Sequence, residues 1–273
     1  MSWELGMLLA MLAGAGAASG FLAGLFGVGG GAIVVAAMYQ AFSYAGVADS
    51  VCMRMSLGTA FAVMVPTSAM SFRGHLRRGS ADGRIARLWV VPVVCGVLAG
   101  SLLATRLDGE KLKAIFIVLV LLNAAKLLSG WPAWRMATDV PSAAAVRVSG
   151  VVIGFLSSLI GIGGGIFGNM FLTAYGRPMH QAIGTTASLG AIISLAGTCT
   201  FMLLGLGESG TPAGSVGFVS AIAFCIVAPI ATVLAPVGVR LAHRFTREQL
   251  RIGFGVFLIV VSARFVVSFF LHG

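Results

Sequence analysis

The sequence predicts an all-α polytopic membrane protein of about 8–10 transmembrane segments. It further predicts two inverted repeats, each carrying a glycine-broken helical hairpin. Three observations lead there. The 273 residues are 58% hydrophobic and only 10% charged, with a mean hydropathy of +1.01, a composition that belongs in lipid. One stretch occurs twice: residues 20–31 read GFLAGLFGVGGG and residues 154–165 read GFLSSLIGIGGG. The basic residues, finally, are distributed unevenly among the loops.

Taken in order, residues 5–43 are apolar apart from Gln40 and a few hydroxyls. As one straight helix they would extend about 60 Å, roughly twice the hydrocarbon thickness. A break at the glycines divides them into helices over 5–26 and 30–43. The start, MSWELGMLLAML, lacks a basic stretch and carries Glu4, which reads as a retained first helix rather than a cleaved signal peptide. Gly16, Gly20 and Gly24 share a face at the spacing of small residues that let helices approach closely. That face packs either within one chain or between two, which leaves a homodimer open.

A helix is predicted over 54–72, then a basic loop, 73–87, with Arg73, Arg77, Arg78, Arg84 and Arg87. Helices over 88–105 and 112–129 complete a first repeat, residues 1–129. Residues 130–146, with two Pro, two Trp and mixed charge, form the linker. The second repeat, 147–273, follows the same plan: a glycine break within 148–175, then helices over 181–205, 216–239 and 249–271. Leu57-Gly58-Thr59 matches Ile183-Gly184-Thr185, Pro92 falls against Pro229, and Lys126 against Arg264.

The basic residues decide orientation. An inverted arrangement puts loop 73–87, the linker region, Arg177 and turn 240–251 in the cytoplasm. Only Arg54, turn 106–113 and Arg264 remain outside. A parallel arrangement splits the charges almost evenly. Inversion also makes each glycine motif the tip of a hairpin, giving five helical segments per half; eight plain spans are the alternative.

Glycine-interrupted apolar segments at matching positions of two halves point to a transporter's binding site. A helix restarting after glycines leaves unpaired N–H groups at its N-terminus, and with the helix dipole these favour an anion. Gly27, Gly29, Gly30, Gly31, Gly161, Gly163, Gly164 and Gly165 are therefore candidate binding positions. The competing reading is that the glycines only permit tight helix crossings. Ser56, Thr59, Thr185, Thr186 and Ser188 are candidate second contacts, although buried hydroxyls often just bond their own helix. Asn169, four residues past Gly165, is the carboxamide deep in an apolar segment of the second half. Arg54 and His180 start the two helices bearing the Gly-Thr pair, as anion attractors at a pore mouth or as snorkelling interfacial residues.

Absences narrow the class. The eight acidic residues lie in loops or near segment ends, so no buried carboxylate offers a cation or proton site. No HExxH, GxSxG or Walker sequence is present, which speaks against an intramembrane protease or an ATP-driven pump. The four cysteines have no metal-ligand or CxxC spacing, and no cofactor or metal is expected. The net charge of +10 belongs to orienting loops, so nucleic acid is not an expected partner.

The doubled GxGGG motif, each copy followed by an apolar half-helix and then a Gly-Thr helix, resembles the TauE/SafE sulfite exporter family across residues 5–271. The family's usual proline, five residues past the last motif glycine, is replaced here by Ala36 and Met170. The resemblance implies export of sulfite or an organosulfonate such as sulfoacetate across a bacterial inner membrane, coupled to an ion gradient. An uncoupled anion channel and an uptake permease for another sulfur metabolite are the alternatives.

Overall fold

A computed structural model describes residues 2–26, 30–77, 82–129, 142–242 and 244–272. Among them are ten helices and one short β-hairpin. The first half holds α1 (Ser2–Phe26), α2 (Gly31–Tyr44), α3 (Asp49–Arg77), α4 (Gly83–Arg106) and α5 (Gly109–Ser129). The second holds α6 (Ala143–Ile160), α7 (Gly165–Ala174) and α8 (Met179–Leu204), then strands β1 (Ser215–Val216) and β2 (Val219–Ser220), then α9 (Ala221–Ala242) and α10 (Arg247–His272).

Helices dominate because lipid offers no partner for a free backbone group, and only a helix satisfies its own. By length and composition, seven are fit to cross a membrane: α3, α4, α5, α6, α8, α9 and α10. Apolar side chains turn outward on several of them; Val233 is 71% and Val91 69% exposed, which suits a lipid-facing belt. Helix α7 is short: its 10 residues reach about 15 Å, half the hydrocarbon core.

In lipid, apolar faces gain little by meeting each other, so close contact must hold helices together. Here α1 packs along α9 while α6 packs along α4, α3 against α8 and α5 against α10. Glycines make the first two crossings tight. A Cβ on Gly20 would overlap the backbone of Ala231, one on Gly154 the backbone of Val93, and one on Gly96 the backbone of Val151. Gly16 and Gly20 thus spend their small-residue face on α9 of the same chain. Trp89, fully buried, ties α4 to α6 by donating Nε1–H to Val146 O (2.9 Å) and Ser149 Oγ (3.1 Å).

The second glycine break falls where the sequence puts it, between α6 and α7, and α2 starts at Gly31, one residue from its expected start. Elsewhere helices overrun their apolar cores. Helix α3 extends beyond 54–72 at both ends, because its polar termini keep helical hydrogen bonding outside any apolar window. Helix α6 begins at Ala143, inside the expected linker; residues 130–141 lie outside the described residues. Helix α9 starts at Ala221 rather than 216 because Ser215–Ser220 form the hairpin, with Ser215 opposite Ser220 and Val216 opposite Val219. The hairpin docks on α8 through Phe218 N–H to Phe201 O (3.1 Å).

Candidate functional site

The second glycine motif ends one helix and starts another. Gly161 closes α6 in the left-handed region (φ +71°), and the N–H groups of Gly161 and Ile162 both donate to Ser157 O (2.9 and 3.1 Å). A left-handed glycine is the usual way to stop a helix, since a Cβ is disfavoured there. Gly164, also left-handed (φ +72°), then caps α7, and Gly168 N–H makes the first intrahelical bond to Gly164 O (2.9 Å). The N–H groups of Gly165, Ile166 and Phe167 come before that bond and have no acceptor within the helix.

The first motif is built alike where it is described. Gly30 caps α2 at φ +65°, and Ile33 and Val34 donate to its carbonyl (3.0 and 2.9 Å). Gly27 and Gly29 lie outside the described residues.

The two motifs touch. A Cβ on Gly31 would overlap the Gly161 carbonyl oxygen and come within 2.6 Å of Met64 Sδ. Gly161 in turn rests on Val35 and Leu57, and a Cβ on Gly163 would sit 3.3 Å from Gly190 Cα and 3.4 Å from Met64 Cε. Beside this junction runs a crevice lined by Gly30, Gly31, Ala32, Ile33, Ile162 and Phe254, with no room for a water molecule. Helices α3 and α8 flank the motifs, and Ser68 Oγ lies 3.0 Å from Ser194 Oγ. These serines stand in the same register as the two Gly-Thr pairs, so equivalent positions of the two halves meet here.

The hydroxyl candidates separate into three groups. Thr59 Oγ1 accepts from Ser220 N–H (3.1 Å), and Thr185 Oγ1 accepts from Asp82 N–H (2.9 Å). Ser220 and Asp82 each precede the fourth helix of a repeat. Asp82 caps α4 by accepting from Arg84 and Ile85 N–H (3.0 and 3.2 Å). Each threonine thus clamps the start of the other repeat's fourth helix. Ser56 donates to Cys52 O (2.7 Å) and Ser188 to Thr185 O (2.6 Å), each within its own helix. Thr186, by contrast, reaches Asn169 and donates to its Oδ1 (2.7 Å), joining α8 to α7 near the second motif.

Arg54 is 13% exposed and bonds Glu208 Oε1 and Leu107 O (both 3.1 Å), with its guanidinium over the Phe218 ring. His180 lies in the first turn of α8, and its side chain falls outside the described residues. A second ion pair joins Arg177 to Asp82 (3.9 Å). In turn 106–113, Lys111 donates to Asp108 (2.7 Å) and holds its carboxyl below the usual carboxylate range; exposed pairs of this kind contribute little. Among the described residues, no three His, Cys, Asp or Glu side chains gather as a metal site would require.

The family model for the sulfite exporter TauE/SafE matches residues 12–265. The chain belongs to the TauE/SafE sulfite exporter family. It is 33% identical over 247 residues to a probable membrane transporter protein of Haemophilus influenzae, an alignment covering 90% of this chain and 94% of that one. A probable membrane transporter protein of Methanocaldococcus jannaschii is 24% identical over 260 residues, covering 92% and 93%. No solved structure matches the chain significantly. This TauE/SafE protein is a multi-pass membrane transporter. Sequence reasoning missed four polar residues here: Ser68 and Ser194, which meet, Ser220, which donates its N–H to Thr59, and the buried Ser157. For the first two a signal existed: they repeat at the spacing that relates Thr59 to Thr185.

Proposed function

We propose that this protein is a secondary transporter that exports a small sulfur-containing anion, sulfite or an organosulfonate such as sulfoacetate, across a bacterial inner membrane. The observation that carries this reading is the contact of the two glycine motifs between the halves, where the start of α2 at Gly31 packs on Gly161, four residues before α7 starts at Gly165. Each N-terminus carries about half a positive charge. Residues 148–176 and 181–205, which surround the second motif, contain no charged side chain, so dipoles and N–H donors remain there as the attraction for an anion.

Inversion of the repeats is part of the proposal. Three long helices (α3, α4 and α5) separate one glycine hairpin from the next, and an odd number of crossings turns the second repeat over. The contacts agree with this. Arg54, early in α3, pairs with Glu208 beyond the end of α8, while Arg177, just before α8, pairs with Asp82 beyond the end of α3. Equivalent helices running antiparallel suit halves that rock about a midplane site.

The test is binding of sulfite, sulfoacetate, taurine and sulfate to purified protein, read by thermal shift. Stabilisation by sulfite or a sulfonate, lost in Gly165→Leu, supports the reading. Stabilisation that survives Gly165→Leu moves the site elsewhere. Cysteines at Gly83 and Gly210, in a cysteine-free background, label from opposite sides if the repeats are inverted; same-side labelling rules the inversion out.

A further inference from the structure

We infer that the anion is held at the second glycine motif alone, with the Ser157 hydroxyl as a direct donor beside the start of α7, and that this subsite selects a singly charged head group. The inference rests on the anion-transport reading above.

Three differences between the motifs carry it. Gly165, the first residue of α7, faces open space: a Cβ there would meet nothing within 4 Å. Its counterpart Gly31 is walled in by the Gly161 carbonyl and Met64. An oxygen lone pair against the start of α2 is the wrong partner for an anion.

Ser157 is the second difference. Its residue is fully buried, and Oγ has no hydrogen-bond partner. Helical serines commonly return their hydroxyl to the preceding turn, as neighbouring Ser158 does to Phe155 O (2.8 Å). Ser157 instead turns toward the cap of α7, where a Cβ on Gly164 would lie 3.5 Å from its Oγ. A buried hydroxyl left unsatisfied costs free energy, which an oxyanion at that cap would recover. The matching residue in the first repeat is Ala23, packed against Gly30 with a methyl group. Third, Asn169, one turn into α7 and bonded to Thr186, corresponds to Val35 in α2.

Charge class follows from what surrounds the subsite. Its neighbours Ile153, Ile193, Met64 and Gly190 are uncharged. A half-charge and a few donors can offset the desolvation of one negative charge far better than of two, because that cost rises steeply with charge. Hydrogensulfite and sulfonate head groups fit; sulfate, a dianion, does not.

Calorimetric titration of the purified full-length protein with sulfite and with sulfoacetate tests this, using wild type, Ser157→Ala, Ala23→Ser and Gly165→Leu. The expected results are one anion per chain, affinity weakened about tenfold in Ser157→Ala, none bound in Gly165→Leu, no gain in Ala23→Ser, and no competition from sulfate. The melting temperature of Ser157→Ala without anion should equal or exceed that of wild type, since an unsatisfied hydroxyl is removed, which separates a binding role from a packing one. Unchanged affinity in Ser157→Ala, two anions per chain, or equal binding of sulfate overturns the inference while binding lost in Gly165→Leu keeps the transport reading. Wild-type binding in Gly165→Leu overturns the inference and moves the site elsewhere, and no binding by wild type at all overturns both.

Discussion

The two glycine breaks are nearly the same in sequence and differ in what surrounds them. Both restart a helix from a left-handed glycine, Gly30 in one and Gly164 in the other. One restart is packed shut against the opposite motif, and the other opens beside an unbonded serine and a carboxamide. The parts that stayed alike are backbone devices: glycines at the helix crossings, threonines that clamp the opposite repeat, equivalent serines that meet between α3 and α8. The parts that diverged are side chains at the restart. The backbone frame is shared, and a small number of side-chain differences makes its two ends unequal.

The comparison can be broken first at the crossings. Gly20→Leu and Gly154→Leu should each destabilise by about 3 kcal/mol or more, since overpacking a backbone contact cannot be relieved by a rotamer change. Loss of folded protein on size-exclusion chromatography is the readout; a well-folded Gly154→Leu would show that the α4–α6 crossing is slack.

At the restarts the halves should part ways. Leucine at Gly165 enters open space and keeps the fold, whereas leucine at Gly31 meets Gly161 and Met64 and lowers thermal stability. Equal melting temperatures for the two variants would erase the asymmetry. Gly30→Leu and Gly164→Leu are poorer probes, because both force a side chain into a left-handed φ.

A smaller effect is expected at the ion pairs. Arg54→Gln removes a half-buried group with three partners and should cost about 1–3 kcal/mol. Arg177→Gln removes a looser contact and should cost under about 1 kcal/mol. The order of the two melting temperatures checks this. Smallest and most alike are Thr59→Ala and Thr185→Ala, at about 1 kcal/mol each, the worth of one backbone donor left without its acceptor. A large difference between them would mean that the clamps are not equivalent.

Much of the fold could be read directly. The restart of a helix at Gly31 was legible because an apolar run of that length cannot cross lipid once, and glycines mark where it yields. Hydropathy was less good at ends: residues Asp49–Arg54 and Arg73–Arg77 continue α3 beyond its apolar centre. Of the candidate contacts, Asn169 and Thr186 come together beside α7 as their shared half suggests. Thr59 and Thr185 bond donors far away in sequence, and no local pattern reveals such a partner. Ser157 gave no signal, since a helical serine looks the same in sequence whether its hydroxyl turns back or away.

By itself the sequence determined that this chain lives in lipid, that its glycine motif occurs twice, and where its helices must break. Those properties depend on transfer free energy and backbone conformation, which are summed locally along the chain. Only the tertiary structure decided that α1 lies on α9 and α6 on α4, that the motifs meet at Gly31 and Gly161, and that one restart stays open. Those outcomes depend on which atoms fill the space opposite each glycine, and such neighbours are chosen by packing between segments remote in sequence.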